Sequence, residues 1–242
     1  MAHQPHRAIF FHRQLVVLFA VAAFVATATA ETAAAASAPS PDETQSAASA
    51  SFLRARCATT LYPALCHDSL LPYAGEFQTS HSRLARVAAD VAAARLRALL
   101  ARVQDMLHHA PRTGTSAAGG GGGGPSEADA LHDCASTISS AANLARQSSA
   151  ELAGLDADDA GSSSSSTSAA GGSSSSSRRA RWSVSNAKTW LSAAITNEGT
   201  CADGIEEAGI RESPSGKEVD AGMASVKQHT SIALALVNGI PM

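Results

Sequence analysis

The sequence predicts an all-α protein, an up-down four-helix bundle clipped by two disulfides, and three observations carry that reading. Apolar and small residues recur at three- and four-residue spacing through four separate segments, the pattern of helices that each bury one stripe. Aromatic residues are only 4% of the 242, which suits closely packed helices better than a sheet rich in β-branched and aromatic side chains. The cysteines number four, an even count that in an exported chain implies two disulfides.

Residues 1–30 contain no acid; Arg7 and Arg13 precede an apolar run from Leu15 to Val25, and the small residues Ala28, Thr29 and Ala30 follow. This is the pattern of a secretory signal peptide. Its apolar core of about a dozen residues falls short of the ~20 that a membrane-spanning helix needs, so no membrane association is expected. Removing it takes two arginines and shifts the formal charge from -3 to -5. A mildly acidic chain is a poor partner for nucleic acid. Residues 31–51, rich in Ala, Ser and Pro with little to bury, read as a disordered leader, and the folded domain is expected over 52–242.

Cys57 and Cys66 open that domain, and Tyr62-Pro63 between them can turn the chain, so they pair locally and Cys134 is left for Cys201. Chain entropy assigns about 3 kcal/mol to the short loop and a little over 4 to the long one. The first long helix is expected from Ser82 to His109, with Leu96, Leu99, Leu100, Val103, Met106 and Leu107 on its stripe and Pro111 and Gly114 beyond its end. Residues 114–125 then read as a flexible Gly-rich linker. From Leu131 the spacing is heptad, through Cys134, Ile138, Ala141, Ala145, Ser148 and Leu152, a seam of mostly small residues. Ser126, Glu127 and Asp129 supply the start of this helix, and Gly154 is its expected end.

Residues 156–178 read as a second, Ser-rich linker. Val184, Ala187, Leu191, Ala194 and Cys201 give the third seam, over Trp182 to about Glu207, and Ser213-Pro214-Ser215-Gly216 breaks the chain. The last helix, from about Lys217, aligns Val219, Met223, Val226, Thr230, Ala233, Val237 and Ile240. Consecutive helices of an up-down bundle are antiparallel, so a cysteine near the start of one meets a cysteine near the end of the next. Cys134 and Cys201 satisfy that condition.

Catalytic patterns are missing: neither a Gly-x-Ser-x-Gly elbow nor a Gly-rich loop after a strand occurs. His132 and Asp133 beside Cys134 suggest a thiol nucleophile, but the even cysteine count favours a disulfide. His108 and His109 are adjacent on a helix and point to different sides, without an acid or cysteine at ligand spacing, so no metal is expected. Arg178, Arg179 and Arg181 offer a processing site or a polyanion contact, and the simpler reading is a solvated helix start. Asp156, Asp158 and Asp159 likewise read as a solvated loop. Trp182 and Trp190 read as bundle packing rather than as a sugar platform.

Several strings then resemble one family. Cys57-Ala-Thr-Thr-Leu-Tyr-Pro-Ala-Leu-Cys66, Ala130-Leu-His-Asp-Cys134, Thr189-Trp-Leu-Ser-Ala-Ala-Ile-Thr-Asn197, Gly199-Thr-Cys-Ala-Asp203 and Ser231-Ile-Ala-Leu-Ala-Leu-Val-Asn238 together resemble the plant invertase and pectin methylesterase inhibitors, across Phe52 to Pro241. The resemblance implies a four-helix bundle preceded by a short N-terminal helical hairpin, with the same disulfide pairing. It also implies a secreted, non-catalytic protein of the apoplast or cell wall that uses no cofactor and binds pectin methylesterase one to one across the pectin cleft. Acid invertase, of the cell wall or vacuole, is the alternative target, and an exported helical interaction protein without inhibitory activity is the alternative outside the family.

Contacts in this family come from exposed positions on the second and third bundle helices. Counted from the cysteines, Thr200 and Asp203 keep the family's residue types, whereas Ser136, Ser140 and Asn143 fall where other members often carry acids. Interface charges set association rate and partner discrimination, so that departure bears on the choice of target.

Overall fold

The first helix begins earlier than composition suggests, because Ser40 and Glu43 close a capping box. The Ser40 hydroxyl accepts from the Glu43 amide and the Glu43 carboxylate accepts from the Ser40 amide, with Pro41 preset for the first turn. The computed structural model describes residues 40–109, 126–162 and 172–242, with the side chains of 156–162 and 172–174 left aside. In it α1 spans Pro41–Cys57 and buries Ser49, Leu53 and Cys57 on one side. Residues 41–51 therefore belong to a helix, which corrects the leader expected to run to residue 51. The expected signal peptide, residues 31–39 of the expected leader and the expected Gly-rich linker lie outside the described residues.

Pro63 starts α2, Pro63–Leu70, and a 3-10 turn at Leu71–Tyr73 leads to the short α3, Ala74–Phe77. The Cys57–Cys66 disulfide joins α1 to α2, and fully buried Phe77 anchors α3. Arg56 donates to the His81 ring at 2.8 Å, and Phe52 meets the same ring edge-on, tying this N-terminal hairpin to the bundle. Burial, and then the charge of Arg56, hold the His81 pKa below its usual value. On the last helix, His229 Nδ1 donates to the Ser225 carbonyl at 2.8 Å. Its Nε2 is then left to accept from the Ser69 hydroxyl at 3.2 Å, a second tie to the hairpin.

Four long helices follow: α4 (His81–His109), α5 (Glu127–Ser162), α6 (Gly172–Glu207) and α7 (Pro214–Asn238). They close a ring in which α4 packs on α5 and α7, α5 on α6, and α6 on α7. Every heptad position expected on α5 is buried: Leu131, Cys134, Ile138, Ala141, Ala145, Ser148 and Leu152. Alanines 85, 88, 89, 92 and 93 of α4 are buried too, so the helices approach closely. At Gly222 of α7 a side chain would strike Leu99 of α4, and at Gly216 one would collide with the Ile210 carbonyl in the α6–α7 turn. Among the described residues no helix is long and apolar enough to cross a membrane.

Three later boundaries differ from expectation. α5 does not stop at Gly154 but continues to Ser162, and α6 begins at Gly172, so helix covers both ends of the expected linker over 156–178. Adding a residue to an existing helix costs far less than starting one, which lets both helices run past their buried seams. α7 likewise begins at Pro214, where the Ser213 hydroxyl accepts from the Gly216 amide at 3.1 Å.

One seam position holds an acid. Glu198 of α6 is 1% exposed, takes the Thr230 hydroxyl bond at 2.5 Å, and leaves its Oε2 without a partner. Burial pushes its carboxyl up to about 7, against the opposing effects of the Thr230 bond and the Lys227 charge. Because the folded value is raised, the stabilisation is fully present below the unfolded value of 4.5 and is lost as pH rises through about 7. The span corresponds to a loss on the order of 3 kcal/mol. Melting temperature should therefore fall between pH 4.5 and 7 in the native protein, and Glu198→Gln should flatten that decline. Equal slopes in both proteins would remove Glu198 as its source.

Candidate functional site

The second disulfide, Cys134–Cys201, joins α5 to α6 with a Cα–Cα separation of 4.4 Å. It also excludes Cys134 as a nucleophile, and His132 and Asp133 beside it face solvent. Counting away from this fixed point at about 100° per residue, Ser136, Ser140 and Asn143 lie on one stripe of α5 opposite its buried seam. Thr200 and Asp203 lie on the corresponding outward stripe of α6. All five are exposed. The structure thus brings the five expected residues onto the outer side of one antiparallel helix pair.

This surface is largely neutral and its side chains are tied back. The Ser140 hydroxyl donates to the Ser136 carbonyl at 3.1 Å and Thr200 to the Thr196 carbonyl at 3.1 Å. Thr196 and Thr189 repeat the arrangement further along α6, donating to Ser192 and Ser185. Hydroxyls that donate inward present lone pairs and methyl groups outward, with rotamers already restricted. Arg146 donates to the Asn143 Oδ1 at 2.7 Å, which turns the Asn143 amide nitrogen toward other partners. Asp203 is the one acid among the five. At the other edge of the pair, Asn186 of α6 donates to the Glu151 carboxylate of α5 at 3.0 Å.

The start of α5 is built as the sequence suggests. Ser126 and Asp129 exchange reciprocal bonds, Ser126 N to Asp129 Oδ2 at 3.3 Å and Asp129 N to Ser126 Oγ at 3.2 Å. The Ser126 hydroxyl, donating to Asp129 Oδ2 at 2.6 Å, and then the Ser126 amide hold the Asp129 pKa below the ordinary carboxylate value. Glu127 accepts from the hydroxyls of Ser213 and Ser215, joining this helix end to the α6–α7 turn. His109 bonds the Asp105 carbonyl of its own helix, and both His108 and His109 are exposed. Trp182 corrects an expectation: it is 70% exposed rather than packed into the bundle, whereas Trp190 is half-buried.

Comparison with known proteins gives a consistent result. A family model described as plant invertase/pectin methylesterase inhibitor matches residues 51–236. The chain is 30% identical over 196 residues to the 21 kDa protein of Daucus carota, spanning 79% of this chain and 86% of that protein. It is 31% identical over 189 residues to pectinesterase inhibitor 11 of Arabidopsis thaliana, spanning 78% and 79% of the two chains. Among solved structures, a mutant form of a pectin methylesterase inhibitor from Arabidopsis shares the fold. Its TM-score is 0.50 at 20% identity, over 76% of this chain and 94% of that one.

The α5–α6 clip generates a prediction. Cys134→Ser with Cys201→Ser should lower unfolding free energy by about 2–5 kcal/mol, the usual loss for a native bridge in a small secreted domain. Denaturant titration reads the difference, and an unchanged midpoint would show that the helix pair holds without the bond.

Proposed function

The chain belongs to the plant invertase/pectin methylesterase inhibitor family, and on that premise we propose that it is a secreted inhibitor of pectin methylesterase, binding one to one over the enzyme's pectin cleft. The family consists of non-catalytic inhibitor proteins. The observation that carries the choice of target is the name of a relative aligned over 78% of this chain, a pectinesterase inhibitor.

Inhibition by occlusion asks for a rigid surface rather than for reactive groups. A standard protein interface covers about 800 Å² on each partner. The outer side of α5 and α6 is built on two helices joined by a disulfide, so little backbone freedom is lost on docking. Its hydroxyls are already bonded to their own helices, which reduces the side-chain ordering cost of about 0.5–1.5 kcal/mol per immobilised group. Ser136, Ser140, Asn143, Thr200 and Asp203 are the proposed contacts. With neutral side chains at the first three, association relies less on charge steering and should depend weakly on salt.

Asp203→Arg should weaken inhibition of a plant pectin methylesterase about tenfold, or ~1.4 kcal/mol, with the circular dichroism of the bundle unchanged. Ile138→Asp should abolish inhibition together with helicity, because it buries an unpaired charge in the α5 seam. A folded Asp203→Arg protein of full potency would move the contact face elsewhere. Potent inhibition of acid invertase with none of pectin methylesterase would overturn the target.

A further inference from the structure

Near the start of α6 the chain places three arginines and a tryptophan within five residues, Arg178, Arg179, Arg181 and Trp182. All four side chains are exposed, and Trp182 shows 70% of its surface to solvent. Arg179 (i-3) neighbours Trp182 on the helix surface, about 60° around from it, and Arg181 (i-1) projects about 100° away on the other side. Arg178 already has an interaction within the fold, so the site rests on the other three. The patch is strongly basic in a chain whose formal charge is -3.

An exposed indole is costly to leave in water and offers a flat apolar face, the kind of surface on which a sugar ring stacks. Nearby guanidinium groups pair with carboxylates, bidentately where geometry allows. The two features together select a ligand that is both saccharide and anion. Neutral sugars would leave the arginines unused, and an acidic peptide would leave the indole face without a stacking ring. We propose that Arg179, Arg181 and Trp182 form a binding site for an acidic polysaccharide, a chain of uronic acid residues with free carboxylates.

The site is separate from the docking residues. Thr200 is eighteen positions beyond Trp182, about 27 Å along the helix axis. An inhibitor docked through the far end of α6 would keep this patch available to the polysaccharide whose de-esterification yields such carboxylates. The choice of polyuronate rests on the proposed function; the existence of an anionic-sugar site does not.

Polygalacturonate binding to the full chain, followed by tryptophan fluorescence and calorimetry in the absence of any enzyme, tests the proposal. The native protein should bind polygalacturonate, with affinity falling as salt rises. Arg179→Gln with Arg181→Gln, and separately Trp182→Ala, should each weaken binding at least tenfold, with unchanged circular dichroism and unchanged potency against pectin methylesterase. Fully methyl-esterified pectin and polyglutamate should bind at least tenfold more weakly than polygalacturonate. Native-level binding by the variants, or no binding by the native chain, would overturn the site. Equal affinity for polyglutamate would overturn its assignment to a sugar. Loss of enzyme inhibition in Trp182→Ala without polygalacturonate binding by the native protein would reassign the patch to protein docking. Because the binding assay contains no enzyme, failure of the native chain to inhibit pectin methylesterase would reject the target while leaving this result intact.

Discussion

The bond between Cys134 and Cys201 is the constraint on which the remaining arrangement depends. It joins a residue near the start of α5 to one near the end of α6, and so fixes how two antiparallel helices are rotated and staggered against each other. Register set at that point carries along the pair, because successive seam residues on both helices are buried in step. The outward stripes are then determined as well. A helix turned to bury Cys134 and Ile138 has to expose Ser136, Ser140 and Asn143, and one turned to bury Cys201 and Ile205 has to expose Thr200 and Asp203. The composition of the core thus dictates the composition of the surface.

Small residues make that core close-packed and leave it with limited apolar area. Alanine layers in α4 and the seam alanines of α5 and α6 bring backbones together, and each contributes less burial than a leucine would. A disulfide between the middle helices, and another in the hairpin, supply constraints of a kind that a core of alanines does not. Glu198 adds the opposite tendency, a group whose burial favours its neutral form and ties stability to acid conditions.

Much of this was legible because periodicity records burial directly. The α5 heptad is correct at every position, and the α7 seam holds from Val219 to Val237. The hairpin is expected from the family resemblance, but its first helix begins at Pro41, ahead of the expected domain start at residue 52: Ser40-Pro41-Asp42-Glu43 is a capping box with proline at the first turn, masked by low apolar content. Residue type points Trp182 to packing, yet it lies two positions before Val184, about 200° around the helix from that seam residue. Glu198 continues the seam between Ala194 and Cys201, where helical spacing alone treats an acid as a gap. The five surface residues were located through their offset from the cysteines, a count that helical geometry converts into a face. Their partner is a matter of complementarity to another molecule, which no periodicity within one chain encodes.

Photo-cross-linking tests the central claim, that the α5–α6 face meets the enzyme. A photoreactive side chain is introduced at exposed Asn143 of α5 and, in a second protein, at exposed Ala224 of α7. Each is mixed with a plant pectin methylesterase and irradiated. The docking proposal predicts an adduct with the enzyme from position 143 and none from position 224. An adduct from position 224 alone would contradict it.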